Sequence, residues 1–174
     1  MSLTHYDKEM IRLADSIAEQ AHAGQVDKIG RPYITHVRRV AFRLRNLTRE
    51  HPQLTEKLPM LYIVALLHDT VEDTPVTLPY LARLFAAPMI DAIDALTRRE
   101  GENYEAYLQR VASNELAVWV KRADIEDNTD PERLSRLDEK SREHLVAKYE
   151  FALAYLNEAA PTHESIPQKI RIPA

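Results

Sequence analysis

At 174 residues with no cysteine, the chain is long enough to bury a substantial core as a single domain, and it cannot build disulfides, thiolate zinc sites or a cysteine nucleophile. A formal net charge of −4 argues against a general nucleic-acid-binding surface, yet leaves room for a local basic pocket that takes a small phosphorylated ligand. No stretch approaches the roughly 18 apolar residues of a membrane span and the polar N-terminus is no signal peptide, so a soluble, cytoplasmic protein with neither membrane nor nucleic-acid polymer as partner is expected.

In chain order, Met10, Leu13, Ala14, Ile17, Ala18 and Ala21 recur at helical spacing and define a first amphipathic helix that stops before Gly24. Gly24 to Pro32, GQVDKIGRP, holds two of the three glycines and carries Asp27, Lys28 and Arg31, which reads as an exposed loop with a mixed-charge tip. A second helix starts by about Thr35 and buries Val37, Val40, Ala41 and Leu44, with His36 on the edge of that face. Arg38, Arg39, Arg43 and Arg45 fall mostly outward and read as a solvated face. Glu50 to Pro59 is a polar link with two prolines.

Met60 to Thr74, MLYIVALLHDTVEDT, runs from eight apolar residues straight into acidic and imidazole groups. With no internal Gly or Pro, Met60–Asp73 is expected as one continuous helix, packed on nearly all sides because the apolar run has no polar face. At about 100° per residue, His68, Asp69, Glu72 and Asp73 then share one side of its end. Three carboxylates there repel one another and are costly to desolvate, and a cation is the cheapest way to hold them together. The bland alternative is a solvated helix end.

Thr77 is placed to cap a short helix using Leu78, Leu81, Leu84 and Phe85, and Pro88 opens another with Met89, Ile93 and Leu96 inward. Thr97 to Asn103, TRREGEN, reads as a mobile loop and a candidate lid. Tyr104, Tyr107, Leu108 and Val111 form one helical stripe; Asn114 caps the next helix, whose Leu116–Val120 run is deeply buried and ends in Lys121, Asp124 and Asn128 on one face. A long terminal helix from about Leu137 to Ala159 buries Leu145, Tyr149, Ala152, Leu153 and Leu156, and Ala160–Ala174 is expected as an extended tail. No strand pattern exceeds a few residues, so the fold class is all-α: one helical domain over residues 1–159, with 160–174 as its tail. Trp119 reads as core packing, His22 as structural, and His5, His51, His144 and His163 as surface groups.

His36, the His68-Asp69 doublet and Asp124 together supply two imidazoles and two carboxylates, a mixed set suited to Mn²⁺, Fe²⁺ or Zn²⁺ rather than Ca²⁺. A lone His36 would more often be a half-buried structural histidine. A negative Asp124 near a helix C-terminus opposes the helix dipole and asks for a reason, although a bond to a neighbouring amide is the plain one.

Those four residues match the H…HD…D signature of the HD phosphohydrolase superfamily. AHAGQVDKIGRPYITH (21–36), ALLHDTVEDT (65–74), Leu96-Thr97 and VKRADIEDN (120–128) resemble, in order, the hydrolase domain of the RelA/SpoT-type alarmone enzymes and in particular its small stand-alone form. The resemblance spans about residues 10–157 and implies an HD-domain helical bundle without a synthetase half. It implies His36, His68, Asp69 and Asp124 as metal ligands, with Mn²⁺ the usual metal, and Glu72 and Asp73 as the catalytic pair that positions and deprotonates the attacking water. It implies hydrolysis of ppGpp to GDP and pyrophosphate, with Lys28, Lys121, Asn128 and Tyr149 at positions that contact phosphate, ribose or base; Tyr149 on its periodic stripe also reads as core. The chain departs from the family at Asp27, where a basic residue is usual before Lys28, and at Val37, where proline is usual after His36. The alternatives are an HD hydrolase acting on another nucleotide or phosphomonoester, and a non-catalytic nucleotide-binding sensor; homo-oligomer formation is left open.

Overall fold

The computed structural model describes residues 3–159, and within them the chain is helical with a single isolated bridge between Val26 and Pro32 as its only β pairing. The expected tail at 160–174, and His163 with it, lies outside the described residues. Helix α1 (His5–Ala21) starts at a capping box in which the Thr4 hydroxyl accepts the Asp7 N–H and the Asp7 carboxylate accepts the Thr4 N–H. Its buried stripe is Ala14, Ile17 and Ala18. Leu13, expected inward, lies off that narrow stripe and is 37% exposed.

Helix α2 (Ile34–Glu50) buries Val37, Val40, Ala41 and Leu44 as its periodicity predicts. The link after it is not irregular: Pro52–Lys57 forms a 3₁₀ turn and Leu58 already opens α3 (Leu58–Leu67). Leu61 and Ile63 to Leu67 are buried, because α3 is packed by α1, α2, α6 (Ala87–Leu96) and α8 (Glu115–Asn128) at once. Each fully buried aliphatic side chain there is worth about 2 kcal/mol over its exposed state, which makes α3 the axis of the core.

Met60–Asp73 is not one continuous helix. Helix α3 ends at Leu67, and a separate turn, α4 (Thr70–Asp73), follows Asp69. The cause is local competition for the last carbonyls: His68 Nδ1–H donates to Ala65 O at 2.8 Å and Thr70 Oγ1–H to Leu67 O at 2.7 Å. The Asp73 N–H still reaches Asp69 O at 2.9 Å, so the four polar side chains stay clustered across the break.

The rest follows the expected order: α5 (Leu78–Leu81) behind its Thr77 cap, α6, α7 (Tyr104–Ala112) behind Asn103, α8 behind Asn114, and α10 (Glu139–Ala159). A short α9 (Pro131–Ser135), capped by Asp130, had no forecast. Trp119 is fully buried, and His51, expected at the surface, is buried with its ring 4.7 Å from the indole. The loop Thr97–Asn103 is tied down by Arg110, which donates to Asp94 O, Thr97 O and both Glu102 carboxylate oxygens at 2.7–2.8 Å, so it has the bonding of a fixed wall rather than of a lid.

Candidate metal centre and active-site cleft

Three helix ends meet at one place. His36 comes from the first turn of α2, His68 from the residue that stops α3, and Asp124 from the last turn of α8; all three are at least 96% buried. One ligand atom from each lies within 4.8 Å of the others. Asp69, beside His68, turns Oδ2 to within 2.9 Å of His68 Nε2 and 3.7 Å of His36 Nε2, while Asp124 Oδ1 stands 3.3 and 3.8 Å from His36 and His68 Nε2 respectively.

The second nitrogen of each ring decides what Nε2 can offer. His68 Nδ1 faces a carbonyl, which only accepts, and therefore carries the hydrogen. His36 Nδ1 faces Asp127 Oδ2 at 2.8 Å, and Asp127, fully buried, is itself gripped by Arg39 through Nε at 2.8 Å and Nη2 at 3.0 Å and approached by Arg43 Nε at 3.3 Å. Burial works to raise the Asp127 pKa, but the bonds to His36 and Arg39 outweigh it and hold the carboxyl below its ordinary range. In the neutral ring, then, both Nε2 atoms point a lone pair at carboxylate oxygens. Buried His68 Nε2 has no hydrogen bond of acceptable geometry despite its 2.9 Å neighbour. Acceptors facing acceptors at such distances require positive charge between them, either protons on the rings or a cation, and the donor set fits a divalent transition metal.

The protonation trends carry the same message. For His36, burial lowers the pKa, but the bonds to Asp124 and Asp127 and the charges of Asp124 and Asp69 carry it up to about 9. Burial would raise the Asp69 and Asp124 pKa values; the charge of His68 on the former and of Lys121 on the latter hold both carboxyls below their usual range. Tyr33, which sequence reasoning passed over, donates its hydroxyl to Asp69 Oδ2 at 2.6 Å, and burial followed by the Asp69 charge keeps it a phenol. Asp124 Oδ2 accepts from Lys121 Nζ at 2.8 Å, and Asn128 Nδ2 donates at 2.6 Å to Oδ1, the oxygen that also faces the imidazoles.

A cleft of about 360 Å³ opens over this cluster, within the roughly 300–1,000 Å³ common for small-molecule sites. Every residue singled out from the sequence lines it except His68, which sits behind the wall: His36, Asp69, Glu72, Asp73, Asp124, Lys28, Lys121, Asn128 and Tyr149. Glu72 accepts the Arg98 backbone N–H at 2.7 Å, and the pKa values of Glu72 and Asp73 are both raised, by burial first and the Asp69 charge second. Tyr149 serves both readings, being 7% exposed in the core with its ring at the cleft.

The loop 24–32 corrects the reading of Asp27. Its carboxylate is no exposed tip: Oδ1 accepts the Ile29 and Arg31 N–H groups at 3.0 and 2.9 Å, and Oδ2 accepts Arg133 Nη1 at 2.6 Å. Lys28 beside it remains exposed. Arg39 and Arg43 of α2 are likewise not simply solvated, since both hold Asp127; Arg38 and Arg45 are exposed as expected, Arg38 in a surface pair with Asp15 through two bonds of 2.7 Å. Arg98, Tyr104, Tyr107, Arg133 and Lys148 also line the cleft without having been singled out for it.

No family model matches the chain. Among curated proteins it is 30% identical over 136 residues to a guanosine-3′,5′-bis(diphosphate) 3′-pyrophosphohydrolase of Aquifex aeolicus, an alignment covering 72% of this chain and 18% of that protein. It is 27% identical over 129 residues to the bifunctional (p)ppGpp synthase/hydrolase SpoT of Escherichia coli, covering 68% and 17%. The chain thus spans less than a fifth of the length of these relatives. In fold it is similar to a solved structure of a metazoan ortholog of SpoT described as hydrolysing ppGpp, with a TM-score of 0.68 and 19% identity over 91% of this chain and 89% of that one.

Proposed function

We propose that this chain, a homologue of SpoT/RelA-type ppGpp pyrophosphohydrolases, is a metal-dependent phosphohydrolase acting on guanosine-3′,5′-bis(diphosphate), with pyrophosphate and GDP as products. The observation that carries the reading is the pair of imidazoles with Nδ1–H committed elsewhere and Nε2 turned onto Asp69 and Asp124 over an open cleft. His36, His68, Asp69 and Asp124 would hold the ion, with Mn²⁺ the first metal to try and Fe²⁺ or Zn²⁺ the alternatives. When bound, such an ion supplies Lewis-acid charge that offsets phosphoryl oxygens and makes water a stronger acid.

The chain's own residues supply the rest. Glu72 and Asp73, one turn beyond the ligands and open to the cleft, orient the attacking water and take its proton; their raised pKa values make them better bases than ordinary surface carboxylates. The attack falls on the ribose 3′-linked phosphoryl group, the P–O bond to the 3′ oxygen breaks, and that oxygen takes up a proton as it leaves. Lys121 and Asn128 keep Asp124 oriented and offer their remaining donors to the substrate, Lys28 reaches it from the loop, and Tyr149 forms the apolar wall. Asp27, spent on Arg133, takes no part in reading the base.

The test is pyrophosphate release from ppGpp by metal-stripped protein supplied with Mn²⁺, with wild type and Asp69→Ala side by side. Release by the wild type alone is expected. Metal binding by the wild type without release from ppGpp, but with turnover of another nucleotide in a panel, would sink the alarmone assignment and keep the hydrolase.

A further inference from the structure

Glu72 stands on the single turn α4, and its exposed side chain can swing about three bonds. Among the described residues, the one hydrogen bond that fixes its carboxylate is the Arg98 N–H on Oε2 at 2.7 Å. The aim of the carboxylate is therefore only as good as the placement of that amide. The amide belongs to the loop Thr97–Asn103, which has no regular secondary structure and turns at Gly101 with φ 72°. A segment of this kind is ordinarily among the loosest of a domain.

This loop is pinned from the side away from Glu72. Arg110 of α7 donates Nη2 to Thr97 O at 2.8 Å, and Thr97 O and the Arg98 N–H belong to the same peptide group. That group is planar and trans, so its oxygen and its hydrogen point in opposite directions and move as one body. Arg110 grips one edge of the plane and Glu72 receives the other. A bond on the carbonyl also polarises the unit and strengthens its N–H as a donor. Arg110 is itself fixed by Nη1 on Asp94 O at 2.7 Å and by Glu102, which takes Nε and Nη2 at 2.8 and 2.7 Å with the two side chains only 22% and 12% exposed. Glu102 also accepts the Arg99 N–H at 3.0 Å, and its carbonyl holds the Arg98 guanidinium at 2.8 and 3.3 Å, so the peptide is tied on both sides.

We propose that Arg110, braced by Glu102, is a positioning residue for Glu72: it holds the Thr97–Arg98 peptide plane, and the plane sets which way the carboxylate faces, leaving Oε1 free for the attacking water. Neither Arg110 nor Glu102 lines the cleft, so the effect runs through the peptide alone. The proposal rests on the hydrolase reading for what Glu72 does, and adds to it residues outside the cleft.

The bond itself is read by ¹H–¹⁵N NMR of the metal-free protein at the Arg98 amide, with Glu72→Ala marking its resonance when the acceptor is gone. Arg110→Gln is expected to shift the Arg98 amide proton upfield to that position, and Arg110→Lys to return it part of the way. An Arg98 amide unchanged in a folded Arg110→Gln overturns the proposal. In turnover, Arg110→Gln is expected to lose roughly tenfold or more in kcat, because a misaimed base loses its reach, and to lose nothing further when added to Glu72→Gln. Equal losses in the two backgrounds overturn the route through Glu72. If Arg110→Gln fails to fold, Glu102→Gln carries both measurements, with the same directions expected. Absence of pyrophosphate release from ppGpp by the wild type would remove the alarmone reading, whereas the Arg98 resonance still decides the positioning.

Discussion

Asp127 Oδ2 accepts the Nδ1–H of His36 at 2.8 Å from a position with no solvent exposure, and two arginines of the same helix as His36 hold that carboxylate in place. Asp127 never reaches the cleft, so its effect on the site runs through the imidazole: it fixes the ring and increases the basicity of Nε2. In Asp127→Asn the amide can present its oxygen to Nδ1–H but loses the charge. Metal affinity, measured by competition with a chelating dye, is expected to drop roughly 10- to 100-fold while the helical circular dichroism stays intact. Unchanged affinity in a folded variant would show that Arg39 and Arg43 merely anchor α8 to α2 through this residue.

Glu72 separates ligation from proton transfer. Its carboxylate lies in the cleft and accepts the Arg98 N–H, and among the described residues no close contact joins it to His36 or His68 Nε2 as contacts of 3.7 and 2.9 Å join Asp69. Glu72→Gln keeps the bond from Arg98 and loses the base. It is expected to bind metal as the wild type does and to lose roughly 10²–10⁴-fold in turnover, the usual worth of a positioned general base. Asp69→Ala, by contrast, should lose metal and turnover together. Full activity of Glu72→Gln would hand the proton to Asp73.

His68-Asp69 and Asp124 were legible because each ends a buried apolar run, and polar groups at the end of such a run demand compensation that sequence alone can point to. Asp127 was not, although it lies three residues beyond Asp124. What makes it functional is its meeting with Arg39 and Arg43, 88 and 84 residues away, and helical periodicity along α8 says nothing about which side chains of α2 stand opposite. Arg39 and Arg43 were misread for the same reason: outward on their own helix, they are inward to the assembly, whereas Arg38 and Arg45 are exposed as expected. The break after Leu67 escaped because it depends on His68 and Thr70 choosing carbonyls over solvent, a competition of about 1 kcal/mol that propensity does not resolve. His51 looked like a surface residue among polar neighbours until the 3₁₀ turn folded it onto Trp119.

The loop that forms one wall of the cleft carries its own acid dependence. Glu102 is pulled from 4.5 down to about 2, first by its bonds to Arg110. A carboxylate whose pKa is lower in the folded state stabilises fully above the unfolded value and loses that contribution as pH falls through the folded one. The melting temperature of the wild type should therefore exceed that of Glu102→Gln by a constant gap above about pH 4.5, and the gap should close as the pH drops towards 2. A gap that stays constant down to pH 3, or widens, would mean that Arg110 holds the loop through the carbonyls of Asp94 and Thr97 alone.

The Asp27–Arg133 pair joins the loop bearing Lys28 to the helix that follows Asn128, with side chains only 3% and 8% exposed. Removing one partner weakens the hold on the other: in Arg133→Met the Asp27 carboxylate keeps its two backbone donors and a longer contact with Arg39 at 3.8 Å but loses its 2.6 Å counter-charge in a buried place, which costs at most about 3–5 kcal/mol. For a chain of this size that corresponds to roughly 6–20 °C in melting temperature. The double variant Asp27→Asn with Arg133→Met should recover part of the loss, because the stranded charge is gone and the amide oxygen still caps the loop. Additive losses in the double variant would contradict the coupling. If the pair also positions Lys28, the Arg133→Met enzyme should show a raised KM for substrate at a kcat close to the wild type, measured well below its melting temperature.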